Sequence, residues 1–207
     1  PDNAQPRMEK EVALLPPQLF GSTAYYAAVA RFADTAVDFS MRADKRFKAA
    51  HRYKIVDTRG ELFLTVPVCH LSGNRGWSDV CISDHGQWWK LHITALESAY
   101  GRTPFFEFYI DRILPLLTDP AQSSFSTIGS LNREADRLIR RILELPPALE
   151  PEQLPETYTD FRRHDFSDIN LPEYWQIRAD SLGFRAGMSI LDMIFNIGPE
   201  AALLIRR

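Results

Sequence analysis

Two histidines and two adjacent tryptophans stand in the stretch SDHGQWWKLHITALESAYGRTPFFEFY, from Ser83 to Tyr109. Imidazole is the side chain whose proton affinity suits acid–base work near neutral pH. On a helix starting near His85, one face carries His85, Trp88, His92, Leu96 and Ala99. The two histidines then lie two turns apart, roughly 10 Å along the axis. One metal takes histidines a single turn apart, so no metal site is expected here. Adjacent tryptophans on a helix point about 100° apart. One should pack in the core, and the other should lie at a boundary where its N–H meets water or an acceptor. His92 touches that same boundary. Two readings follow: a core histidine bonded to a backbone carbonyl, or a general base lining a cleft.

The second candidate is MRADKRFKAAHRYK, Met41 to Lys54, which gathers Arg42, Lys45, Arg46, Lys48, His51, Arg52 and Lys54 around a single acid, Asp44. The whole chain carries a net charge of −3, so this positive charge is local. As a helix, the segment places Lys45, Lys48 and Arg52 on one face. Such a set suits a phosphate or diphosphate, with arginine best placed for two-point contact. The plainer reading is a solvated surface segment. A thiol mechanism is not expected: Cys69 adjoins His70, and neighbours on a strand point to opposite faces. The two cysteines form no disulfide framework, so both are expected to be reduced and dispensable. Phosphate-loop, GxGxxG and GxSxG signatures are absent.

Composition bounds the rest. The 207 residues are 45% hydrophobic, enough for one well-packed domain spanning 1–207. The charge balance does not suit nucleic-acid binding, and no apolar run reaches the length of a membrane span. Residues 1–10 read as flexible and lack the apolar core of a signal peptide. The expectation is a soluble cytoplasmic protein that needs no cofactor; the sequence leaves its oligomeric state open.

The elements that position these residues read as α/β. EVALLPP is a strand, STAYYAAVARFA a helix with Ser22 or Thr23 as cap, and TAVDFS a strand. Together they make a βαβ unit. HRYKIVDTRGELFLTVPV is a β-hairpin about Asp57–Gly60, and SDVCIS and YTDF are further short strands. A helix capped by Asp84 with Gln87 at the box position carries His92. Helices also begin at Thr103-Pro104, ending near Leu114 before Pro115, and run through Ile128, Leu131, Ala135, Leu138, Ile142 and Leu145. Residues 146–157 are a proline-rich connector. The last helices start at Ser189, with Asp192 at its box position, and after the Gly198-Pro199 break. The predicted architecture is a small mixed sheet with an N-terminal βαβ unit, a β-hairpin and surrounding helices.

Four blocks carry a resemblance: LLPPQLFGSTAYYAAVARFAD, HRYKIVDTRGELFLTVPV, DVCISDHGQWWKLHITALESAYGRTPFFEFY and YWQIRADSLGFRAGMSILDMIFNIGPEA. In this order they resemble the WbqC-like family of bacterial proteins, particularly its shorter forms in Bacteroidetes. The resemblance implies a place in O-antigen or other surface-polysaccharide production, with glycyl or other aminoacyl transfer to a sugar precursor. On this reading His92 is the general base and Asp192 orients it. Arg52, Lys45 and Lys48 hold a phosphate or carboxylate, while Trp88, Tyr100, Ser189 and Asn196 line the substrate. The substrate is a small molecule of nucleotide-sugar type; the rival reading is a non-catalytic module binding a nucleotide sugar or a partner. Two departures stand out. Many relatives begin with His-Gln-Pro where this chain has Leu15-Pro16-Pro17, and longer relatives have a glycine-rich stretch where Pro146 to Thr157 stand here.

Overall fold

The computed structural model describes residues 8–70, 73 and 75–207. Strand β1, Met8–Leu15, ends in the apolar run Ala13-Leu14-Leu15, all buried. Such a run belongs to a strand covered on both faces. Helix α1, Thr23–Arg31, follows a short turn. Its N-cap Ser22 accepts the Tyr25 N–H at 3.1 Å, satisfying one of the free donors of the first turn. Strand β2, Phe32–Val37, continues directly from α1 and pairs parallel with β1, from Val12↔Asp34 to Leu15↔Val37.

Two further strands, β3 (Arg52–Asp57) and β4 (Gly60–Thr65), form an antiparallel hairpin in a sheet of their own. The residue closing its turn is Gly60 at φ 124°, a conformation that favours glycine. Helices α2 (Trp88–Tyr100), α3 (Phe106–Ile113) and α4 (Ile128–Ile142) come next. Strand β5, Thr159–Asp160, then pairs parallel with the other side of β1, giving the order β2-β1-β5. Helices α5 (Ala179–Leu182), α6 (Ile190–Ile197) and α7 (Glu200–Leu204) complete the chain. The α/β class, the βαβ unit and the hairpin are as predicted, but the strands divide between two sheets.

Local chemistry explains most boundaries. Thr127 and Ser130 cap α4 reciprocally, and its predicted apolar stripe buries Ile128, Leu131, Ala135 and Leu138. Helix α3 stops at Ile113, and Pro115 lies in a 3-10 turn just beyond. Helix α6 is apolar nearly all round and buried over Ile190–Asn196, so it sits inside the fold.

Several expectations need correction. Asp84 makes no cap bond, and α2 starts at Trp88 rather than near His85. Gly86 and Gln87, at φ 68° and 48°, interrupt the helical conformation in between. SDVCIS makes only isolated bridges, Val68↔Ile82 and Cys81↔Thr127. The 146–157 connector also serves the sheet: Leu149 N–H donates to Thr35 O at 2.8 Å and covers the outer edge of β2. Within the supposedly flexible start, Met8–Lys10 belong to β1, and residues 1–7 lie outside the described residues.

Cys69 and Cys81 are joined in a disulfide, with Cα atoms 5.4 Å apart. The expectation of reduced thiols fails because the chain doubles back here. The Val68↔Ile82 bridge and the Cys69 N–H donated to Cys81 O at 2.9 Å set the two side by side. The argument for a reducing compartment goes with it. Among the described residues no helix is long and apolar enough to cross a membrane. Reducing the disulfide, or replacing both cysteines with serine, should lower the unfolding free energy by about 2–3 kcal/mol, the closure cost of so short a loop. Urea unfolding with and without a dithiol measures this; coincident curves would show that the thiols are free.

Candidate functional site

Buried apolar positions on α2 alternate with one polar exception, His92. The ring is 2% exposed. Its Nε2 donates to Thr65 O at 3.0 Å, since a carbonyl can only accept. That leaves Nδ1 as the acceptor of the Tyr53 hydroxyl at 2.9 Å. The protein therefore holds neutral imidazole in a single tautomer, with both nitrogens engaged. Burial lowers its pKa to about 4, the Thr65 carbonyl opposing only in part. Trp88 packs edge-on to His92, with centroids 5.1 Å apart, and is buried, whereas Trp89 is half-buried. The core–boundary division of the two tryptophans is thus as expected. No ring nitrogen of His92 is left to take a substrate proton, because desolvation and two hydrogen bonds fix the ring inside.

Asp192 is fully buried on α6 and does not meet His92. Its Oδ1 accepts the Tyr100 hydroxyl at 2.8 Å, and its Oδ2 accepts the Tyr174 hydroxyl at 2.5 Å and Gln176 Nε2 at 2.8 Å. Burial raises its pKa, and the three donors counteract that. Tyr100, also buried, receives the Val56 N–H at 3.3 Å. Asn196 accepts the Ile177 N–H at 3.0 Å and donates to Asp192 O at 2.7 Å. Ser189 donates its hydroxyl to Phe20 O at 2.7 Å while capping α6 through the Leu191 N–H. Tyr100, Ser189, Asp192 and Asn196 therefore form the joint between α2, β3, α6 and the segment at 174–177.

The open site lies elsewhere. Because β2, β1 and β5 run parallel, their carboxyl ends share one edge, and β1 has a neighbour on each side. In open α/β sheets, ligands bind at the carboxyl ends where strand order reverses. A cleft of about 1570 Å³ occupies that place. Gln18 follows β1, Asp38 follows β2, and Arg162–Asp165 follow β5; residues 40–49 form the remaining wall. The arm is anchored at both ends: Ala43 N–H donates to Arg75 O at 2.8 Å, and Leu19 N–H donates to Ala49 O at 2.9 Å.

Six cationic side chains and four carboxylates line the cleft. Arg46 is engaged by Asp44 at 2.9 Å, and its hydrogen bonds hold that carboxyl down at about 2. Arg162 is engaged by Asp160 at 2.8 Å and by Asp38 at 3.1 Å. Arg42, Lys45, Lys48 and Arg163 make no ion pair among the described residues. At the N-terminus of α1 two first-turn donors are already used, since Thr23 N–H donates to Met188 O at 3.0 Å and Tyr25 N–H to the Ser22 hydroxyl. An anion at this edge relies chiefly on side chains.

Of the expected phosphate set, Lys45 and Lys48 line the cleft, but Arg52 does not. The shared helix face does not exist: only Lys48–Ala50 is helical, as a 3-10 turn, and Arg52 belongs to β3. Its guanidinium instead lies over the Phe63 ring, 4.1 Å from the centroid. Asp38, Arg162 and Arg163 were not singled out from the sequence. One signal was present: the strands flanking β1 are both closed by Asp-Phe, in VDFS and TDFR.

Burial penalises the charged imidazole, so the folded pKa of His92 lies below the unfolded value near 6.5. Its contribution to stability is complete above pH 6.5 and is lost as pH falls through about 4. The loss should reach about 3 kcal/mol, with His51, also lowered by burial, acting in the same direction. Unfolding titrations between pH 7 and 4 should show a flatter slope for His92→Gln than for the wild type. An equal slope would mean that His92 is not held neutral.

A model of the WbqC-like protein family matches residues 32–160. The match takes in β2, the cationic arm, the hairpin, α2 to α4 and β5; most of the first resembling block and all of the fourth lie outside it. No curated protein and no solved structure matches the chain. More than half of the sequence falls within that family's pattern, and the chain belongs to the WbqC-like protein family.

Proposed function

We propose that the protein binds a phosphate-bearing sugar precursor of nucleotide-sugar type in the cleft at the carboxyl ends of β1, β2 and β5. The observation that carries this reading is the set Arg42, Lys45, Lys48 and Arg163, four cations that have no carboxylate partner among the described residues, in a cleft of a net-acidic chain. Phosphate oxygens are the ligand atoms such a set serves best. The family likeness adds the setting, surface-polysaccharide or O-antigen production, and the activity, transfer of an aminoacyl group such as glycyl to the precursor. A base for that transfer has to come from the cleft, where Asp38, Asp165 and His164 stand.

A second reading is binding without chemistry. It is favoured by His92 and Asp192, the expected base and its partner, since neither lines the cleft and both have their polar atoms engaged. Turnover separates the two: release of a glycyl or other aminoacyl group onto a nucleotide sugar supports the first and excludes the second.

Binding itself is tested by thermal shift with pyrophosphate and with nucleoside diphosphates, since a ligand of the folded state alone raises the melting temperature. Lys45→Ala and Lys48→Ala should each weaken binding by about two- to ten-fold, the range of one charge-assisted contact at a wet site. Arg52→Ala should leave affinity unchanged and cost about 0.5–1 kcal/mol of stability through its lost contact with Phe63. The reverse ranking would move the site to the hairpin.

A further inference from the structure

We propose that Asp38 reads hydroxyl groups in this cleft, so that the ligand carries a pair of neighbouring hydroxyls beside its phosphate. The inference rests on the phosphate-binding reading above and adds the other half of the ligand.

The position of Asp38 comes first. It is the residue immediately after β2, and so it stands at the carboxyl end of the strand next to β1. In a β–α–β unit that binds a nucleotide, a carboxylate roughly 20 residues beyond the first strand accepts from the ribose hydroxyls. Asp38 has that spacing from Leu15 and that place at the sheet edge. Phosphate placement differs, since this chain has Pro16-Pro17 where a glycine-rich turn would be, and two first-turn donors of α1 are already used.

The state of its two oxygens comes second. Oδ2 accepts from Arg162 Nη1 at 3.1 Å. Nothing among the described residues donates to Oδ1, although the carboxylate is only 23% exposed. Arg162 is itself fixed by Asp160, which takes Nε at 3.1 Å and Nη2 at 2.8 Å. The carboxylate is thus held from one side, with acceptor capacity left on the other, inside a cleft lined by Ser40 and Gln18. Gln18 uses its Oε1 on the Ser22 N–H at 3.2 Å, and among the described residues nothing takes its amide N–H groups. A carboxylate repels phosphate and accepts hydroxyl protons. The cleft therefore has a cationic part, Arg42, Lys45, Lys48 and Arg163, for the phosphate, and an accepting part at Asp38 for a diol. The diol has two sources, the ribose of a nucleotide or the sugar of a sugar phosphate.

Calorimetric titration of the full chain decides between them. Pyrophosphate and methyl phosphate carry no diol; ADP, GDP, CDP and UDP supply the ribose, and glucose 1-phosphate supplies the sugar. Asp38→Asn keeps the shape and an oxygen for Arg162 but replaces the free acceptor with a donor. The expected result is about ten-fold weaker binding of the diol-bearing probe, the scale of one hydrogen bond to a charged group, with pyrophosphate and methyl phosphate binding no more weakly than to the wild type, since the carboxylate only repels them. If the ribose is the source, the 2′-deoxy nucleotide should show the same loss on the wild-type protein, and Asp38→Asn should then add little to it. This wild-type comparison stands even if the variant does not fold. Equal loss for probes with and without a diol would make Asp38 a structural partner of Arg162 and overturn the inference; so would no loss for either. If none of these probes binds the wild type, the phosphate-binding reading fails first and takes this one with it.

Discussion

A charge pair inside the protein holds the first sheet to its helices. Arg140 and Asp136, one turn apart on α4, are 2% and 5% exposed and meet at 2.7 Å. Neither ion could stay buried alone, because stripping its water costs several kcal/mol unless partners replace it. Those partners come from the elements that must pack together. Arg140 Nη1 donates to the Thr35 hydroxyl of β2 at 2.8 Å and to Pro146 O at 3.0 Å, and the Tyr26 hydroxyl of α1 donates to Asp136 at 3.0 Å. The pair therefore specifies how α1, α4, β2 and the turn after α4 sit. Replacing one partner would leave a bare charge, so the arrangement works as a unit. Because β2 is fixed from behind, its carboxyl end presents Asp38 at a defined place on the sheet edge.

Asp192 solves the same problem with neutral donors. Two phenols and an amide surround the carboxylate, drawn from α2 and from the segment preceding α5. Burial pushes the Tyr100 and Tyr174 hydroxyls well above the usual phenol range, so they remain donors at any ordinary pH. A carboxylate so enclosed is a fastener. The same applies to His92, whose two hydrogen bonds tie α2 to both strands of the hairpin, through Tyr53 on β3 and Thr65 on β4. Chemistry-bearing residue types thus serve here as interior hydrogen-bonding hardware, while the open cleft joins part of the basic cluster to Asp38, Arg162 and Arg163, which were not singled out from the sequence.

That division explains what was legible. Periodicity and capping chemistry located α1, α3, α4 and α6 and the four strands of the βαβ unit and hairpin, because those signals are local. Glycine at the hairpin turn and Pro115 after α3 act through their own backbone geometry, so they too could be read. The cysteine pairing could not, since it depends on residues 68 and 82 lying side by side across a reversed chain. Nor could the cleft, which joins Asp38 to Arg162 across most of the chain through the parallel pairing of β1 with β5. The basic cluster was visible, but its helical reading was not sustained. Lys45 and Lys48 reach the cleft from an irregular arm, while Arg52 left for the hairpin.

The arm's irregularity has a physical use. A helix would space its cations along one stripe and offer each side chain wide freedom. Here the segment between Ser40 and Ala49 is fastened at Ala43 and Ala49, and it wraps the edge of the sheet so that its charges converge on a concave space. Concave walls gather the field of several cations more than a flat surface does, although Arg42, Lys45, Lys48 and Arg163 are themselves exposed to solvent. The carboxylates in the same cleft then act by subtraction. Asp44 and Asp160 occupy Arg46 and much of Arg162, while Arg42, Lys45, Lys48 and Arg163 make no ion pair among the described residues. In a net-acidic chain the ion pairs of this cleft thus concentrate positive charge on its arm and beside Arg163.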